Sequence, residues 1–179
     1  MSEQTGEAGR SKLPLFLGGG VAGLVVISLA GFLIYSSICP CDFTPGGYLF
    51  GDREDEPVAD WRFANQVELC QLQIWAGIRP HSINLNCMAS PDGNLYLSCS
   101  VCDTKYWAAR VGQDEPARIR LDGVVYPVVL NRITEPAEMD KAWQARDTKL
   151  NSLPNPVGAP TPGTPRADRW WTFRVESST

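Results

Sequence analysis

Histidine occurs once in this chain of 179 residues, at His81. One imidazole cannot build a histidine-rich metal centre. It could act as a haem axial ligand, but its place at the start of a strand behind Pro80 suits a surface position. The chain also has no Ser/His/Asp constellation, no Gly-rich phosphate loop and no His-Glu metal motif. Those absences remove the common hydrolase, nucleotide-hydrolase and metalloprotease chemistries. Lysine and arginine total 16 against 20 acidic residues, a formal net charge of -4, and the basic residues are scattered. Without a basic stripe interleaved with aromatics, no nucleic-acid partner is expected. No internal repeat is visible.

Charge is missing altogether between Lys12 and Asp42. Residues 15–35 are almost wholly apolar or Gly, and about 20 such residues span a bilayer. A cleaved signal peptide is the rival reading, but its apolar run is usually ~7–15 residues and ends at small residues. This run is longer, and the residues before Cys39 lack the small residue of a lipoprotein site. The expectation is an N-terminal tail over 1–12 and an uncleaved transmembrane anchor over 13–38, with the lipid bilayer as partner through residues 15–35. Arg10 and Lys12 precede the run; Asp42, Asp52, Glu54, Asp55 and Glu56 follow it, opposed by Arg53. That asymmetry places the N-terminus in the cytoplasm and the following domain on the non-cytoplasmic side, periplasmic or extracellular. Gly19 and Gly23 form a Gly-x-x-x-Gly pair that could pack two anchors, or arise by chance in a Gly-rich span.

Residues 39–60, rich in Pro, Gly and acids, read as a connector lifting a domain of residues 61–179 from the membrane. That domain alternates apolar and polar residues in short runs. Strands are expected at 67–75, 82–89, 94–100, 117–121, 124–133 and 170–176. Asp122-Gly123 between two alternating runs is the strongest short-range hairpin signal a sequence offers. A short helix is expected at 105–111, and a longer one at 135–150 capped by Thr134 with Glu135 and Glu138 in its first turn. Residues 151–168 are Pro-rich and should lack regular structure. The fold class is mainly β with flanking helices, a closed or nearly closed antiparallel barrel of about six strands behind one transmembrane helix.

The order strand 94–100, helix 105–111, hairpin 117–130, with Trp170-Trp-Thr-Phe-Arg-Val-Glu as a last strand, resembles the pyridoxamine-phosphate-oxidase-like, FMN-binding split β-barrel family. The resemblance covers residues 67–176. It implies FMN or a deazaflavin as cofactor, oxidoreduction of a small molecule as activity, and a homodimer through the barrel with flavin at its interface. In the family, basic and hydroxyl side chains on the second and third strands and at the following helix start hold the flavin phosphate. Lys105 matches that cation, and Thr104 could supply a hydroxyl. The second strand has no cation, which departs from the family.

Two readings stand for the remaining polar residues. Asn84 and Asn86 share a face, and Ser98 and Ser100 should line the adjacent strand on the same side. They line a polar cofactor pocket or a solvated outer face. Arg118 and Arg120 point away from the core, to solvent or an anion. Asp103 could cap the helix at 105. All six cysteines follow the anchor. Cys70, Cys87 and Cys99 fall on apolar faces, as buried small hydrophobes or a core disulfide. Cys102 is expected to bridge to Cys39 or Cys41, with a four-thiolate zinc site of Cys39, Cys41, Cys99 and Cys102 as the lesser alternative. The competing function is a non-catalytic, disulfide-stapled barrel acting in binding or assembly at the membrane.

Overall fold

The structure, a computed structural model, describes residues 13–38, 40, 45–154, 156 and 158–178. The chain divides into two compact units, residues 1–36 and 37–179.

The first unit contains helix α1 (Leu13–Ser37). At 1.5 Å per residue its 25 residues reach about 37 Å, against roughly 30 Å of hydrocarbon. It is long and apolar enough to cross a membrane. No Cβ placed on Gly20, Gly23 or Gly31 would meet a neighbour within 4 Å.

In the second unit the strands are β1 (Asp52–Arg53), β2 (Cys70–Ala76), β3 (Arg79–Leu85), β4 (Cys87–Ala89), β5 (Leu95–Cys99), β6 (Glu115–Leu121), β7 (Val124–Ile133) and β8 (Trp171–Ser177). Helix α2 (Pro136–Ser152) lies between β7 and β8. The sheet order is β3-β2-β6-β7-β8-β5-β4, all antiparallel along this path. Its two end strands, β3 and β4, are consecutive in the chain and separated by Asn86 alone. One run of chain thus opens and closes the sheet, which curls into an antiparallel barrel split at Asn86. The expected strand over 82–89 is these two strands: it changes partner at Asn86, from β2 to β5.

Alternation explains the interior. Leu72, Ile74, Leu97, Ile119, Leu130 and Phe173 are each at most 1% exposed and belong to one apolar cluster. Cys70 bridges to Cys87 across the start of β2 and β4. The β6–β7 turn carries both Asp122 (φ 47) and Gly123 (φ 86) in the left-handed region. That pair of conformations makes Asp-Gly the preferred two-residue hairpin loop.

Helix α2 packs outside the barrel, where Met88, Tyr96, Ala142 and Ala145 form a second buried cluster. Its cap is Glu135 rather than Thr134: the Glu135 carboxylate accepts from the backbone N–H of Ala137 at 3.0 Å and Glu138 at 2.6 Å. Pro136 then stands where the missing N–H costs nothing. Glu138 binds Arg174 at 3.0 Å, tying α2 to β8. The Pro-rich segment adds no helix or strand among its described residues, but it is held. Trp143 Nε1 donates to the Thr164 carbonyl at 2.7 Å, and Arg166 pairs with Asp140.

Three expectations give way to local physics. The helix expected at 105–111 is two single 3-10 turns, Cys102–Thr104 and Ala108–Arg110. Seven residues are too few to offset helix nucleation where the chain must bury Trp107 and Ala108. From Gly46 onward, the segment expected to lift the domain is bound into it. Gly46 pairs with Ser82, Leu49 is fully buried, and β1 pairs in parallel with β7. Arg120 donates to Gln71 and, at 2.5 Å, to the Phe50 carbonyl, while the Arg118 guanidinium lies 4.3 Å from the Tyr48 ring centroid. These two arginines, outward on β6, fasten that segment. Finally, Cys102 is bridged to Cys99, which rules out both its bridge to Cys39 or Cys41 and the four-thiolate zinc site. Cys39 and Cys41 lie outside the described residues.

Candidate functional site

The split at Asn86 makes the site. The β4–β5 ladder ends at Cys87–Leu97, and the β2–β3 ladder ends at Cys70–Leu85. Beyond those pairs the two halves of the run part company. Ser98 and Cys99 keep their β8 partners but gain none on the other side. A cavity of about 650 Å³ occupies the opening, within the range usual for small-molecule and cofactor sites.

One lip carries Asn84 and Asn86, the other Ser98 and Ser100. All four expected hydrogen-bonding side chains thus come together on one cavity. Lys105 lines it too, but as an exposed residue following the 102–104 turn. It does not start a helix, so no helix terminus adds to its charge. Thr104 is not among the lining residues. Its Oγ1 donates to the Val101 carbonyl at 2.9 Å, so the hydroxyl is turned to its own backbone. Asp103 caps no helix; its carboxylate accepts from the Thr104 N–H at 3.1 Å.

The decisive group comes from α2 and lay outside the expectations. Arg146 is 3% exposed and reaches the cavity from the helix side. Its Nη1 donates to Ser98 Oγ at 3.2 Å and its Nη2 to the Gly158 carbonyl at 2.6 Å. Nε has no hydrogen-bond partner. Among the described residues Arg146 forms no ion pair. Burial pushes its pKa down to about 10. The Trp170 ring lies 4.7 Å from the guanidinium carbon, a cation–π contact that offsets part of the desolvation. Isolated buried cations are costly and are normally paired. Among the described residues no carboxylate lines the cavity, so it presents two cations, Arg146 and Lys105, without a counter-charge among them. Trp107 and Trp170 give it flat apolar walls.

His81 is half-buried, with its ring 4.8 Å from that of Tyr106. Burial lowers its pKa first, then the charges of Arg110 and Arg79. It lies outside the cavity lining. No group of three or more His, Cys, Asp or Glu suited to a metal occurs among the described residues.

No family model matches the chain, and no curated protein matches it. Among solved structures, the chain is similar to an FAD-binding protein from Mycobacterium smegmatis, with a TM-score of 0.46, 11% identity, and coverage of 69% of this chain and 93% of that one. It is also similar to a candidate pyridoxamine 5'-phosphate oxidase from Corynebacterium glutamicum, with a TM-score of 0.41, 11% identity, and coverage of 69% and 92%.

Proposed function

We propose that the split of the barrel binds a flavin, FMN or a deazaflavin, and that the chain is a membrane-anchored protein using it in oxidoreduction of a small molecule. One observation carries this reading. A buried arginine with no ion pair among the described residues faces a cavity large enough for a cofactor, beside a lysine and two tryptophans. An anionic group on a planar ring system satisfies those features together. The phosphate would meet Arg146 and Lys105, and the Asn and Ser side chains would hydrogen-bond the ring and ribityl oxygens. Bound flavin would supply hydride and electron chemistry, while the chain binds, orients and shields it. The visible spectrum of the purified full chain tests this. Flavin absorption that persists through gel filtration supports the reading, and a chain that neither carries nor takes up flavin removes it. Lys105→Ala should weaken FMN binding by up to about tenfold. Its charge is exposed, and exposed ion pairs contribute little.

The competing reading, a non-catalytic barrel stapled by disulfides, draws support from the Cys70–Cys87 bridge deep in the core. On that reading Arg146 is a structural cation held by Ser98, Gly158 and Trp170.

The charge asymmetry around α1 supports a domain on the non-cytoplasmic face. A periplasmic-active reporter fused after Thr179 is expected to be active. Cytoplasmic activity of a fused reporter would reverse the topology. A homodimer through the barrel belongs to the same proposal, and crosslinking in detergent micelles measures it.

A further inference from the structure

Ser98, Cys99 and Ser100 all border the cavity, but only the cysteine is covalently tied, to Cys102 two residues beyond Ser100. The chain between the two sulfurs is Ser100-Val101. Val101 stands at φ 53, ψ 46, the left-handed region, which a β-branched residue rarely enters. Its side chain is half-exposed, and its carbonyl accepts from Thr104 Oγ1 at 2.9 Å. Strain of this kind at a cavity edge is a pointer to function.

The bridge also contributes little as a staple. Its sequence separation is 3, against 17 for Cys70–Cys87. A crosslink restricts the unfolded chain less as its loop shortens. Both ends are held without it. Cys99 pairs with Trp171 in the β5–β8 ladder, and the Cys102 carbonyl accepts from the Lys105 N–H at 3.1 Å. Opening the bridge leaves β5 in place and removes the covalent tie across Val101. The surroundings favour the reduced form too. Among the described residues two cations and no carboxylate line the cavity that Cys99 borders, and nearby positive charge stabilises a thiolate.

We propose that Cys99–Cys102 is a reversible dithiol–disulfide pair that exchanges two electrons with a small dithiol entering the cavity. This stands independently of flavin binding. A thiolate of the incoming dithiol bonds to the sulfur of Cys99, a residue that lines the cavity and is 4% exposed, and the Cys99–Cys102 bond breaks. Cys102 leaves as thiolate. The second sulfur of the dithiol then attacks its partner sulfur in the mixed disulfide, and Cys99 leaves as thiolate. The dithiol departs oxidised as a cyclic disulfide, its two electrons now on the cysteine pair and its two protons taken by the pair or by water. Cys102 is 1% exposed and serves as the leaving group, sheltered from direct attack.

The test titrates the full chain in detergent micelles with dithiothreitol, traps free thiols by alkylation, and assigns them residue by residue by fragment mass. Cys99 and Cys102 should open at a reductant concentration at least tenfold below that needed for Cys70 and Cys87. Circular dichroism should not change, and glutathione disulfide should close the pair again. Val101→Gly removes the strain of the bridged loop and should move the opening of Cys99–Cys102 several-fold toward higher reductant, leaving Cys70–Cys87 where it was. Opening of both bridges together, or opening of Cys99–Cys102 only with loss of the β signal, would overturn the proposal.

Discussion

Arg146→Met is expected to weaken FMN binding by about ten- to a hundredfold while leaving the barrel as stable as before, or more so. The two halves of this outcome have one cause. In the free chain the guanidinium is buried with one nitrogen unsatisfied and, among the described residues, no acidic partner. Its desolvation is therefore a standing cost, offset by two hydrogen bonds and the Trp170 ring. Methionine of similar length removes that cost, which offsets the donors lost by Ser98 Oγ and the Gly158 carbonyl. With ligand bound, the same guanidinium would meet the phosphate, and a charge-assisted bond there would contribute on the order of 1.5–3 kcal/mol. At 1.4 kcal/mol per decade that is the stated loss. Fluorescence titration and thermal melting of the same samples read both quantities. A large fall in melting temperature with unchanged FMN affinity would make Arg146 a structural cation and nothing more.

The second large effect is on stability against pH, and it comes from Lys149. This residue is 2% exposed, and its Nζ donates to the carbonyls of Ala64 at 2.8 Å and Cys87 at 2.7 Å. Burial pushes its pKa down from 10.5 to about 8. Below about pH 8 the lysine is protonated in both folded and unfolded chain, and the folded state carries the full cost of burying the charge. Between about 8 and 10.5 the unfolded chain binds the proton and the folded chain does not, so stability rises with pH. The rise integrates to about 3 kcal/mol at 1.36 kcal/mol per pKa unit. Tyr96 and Tyr126, both raised by burial, act in the opposite direction as they ionise in alkali. The clean window is therefore pH 8 to 10. Urea unfolding across that window should show a midpoint climbing in the wild type and nearly flat in Lys149→Met. A midpoint that falls with pH in both proteins would contradict the assignment. Because methionine leaves two carbonyls without their donor, the informative quantity is the slope rather than stability at any single pH.

These two residues show what the sequence conceals. The hairpin at Asp122-Gly123 and the alternating strands were legible because period-two burial imprints itself on neighbouring residues. The Asn84/Asn86 and Ser98/Ser100 faces were legible for the same reason, and the structure places both on one cavity. Helix α2 carries no such imprint. Its buried residues are Ala142, Ala145, Arg146, Lys149 and Leu150, so its inward stripe contains two charges and reads as a solvated surface. The only available signal was Arg146 and Lys149 at i and i+3, one face of a helix, beside Ala142 and Ala145. The change of partner at Asn86 was hidden as well, since the alternation runs through it unbroken. The cysteine pairing could not be read because six cysteines allow 15 connectivities. The 46–53 segment looked like a connector because its attachment is made by backbone pairing and by arginines from β6, neither of which gives it an apolar pattern of its own.

The central claim is that the cavity takes a flavin through its phosphate, and riboflavin, which lacks that phosphate, isolates the point. Isothermal titration of the full chain in detergent micelles with FMN and with riboflavin is the direct measurement. The account predicts that FMN binds at least about tenfold more tightly, that the advantage shrinks in Arg146→Met, and that it shrinks less in Lys105→Ala. Equal affinity for the two flavins, or no binding of either, would contradict it.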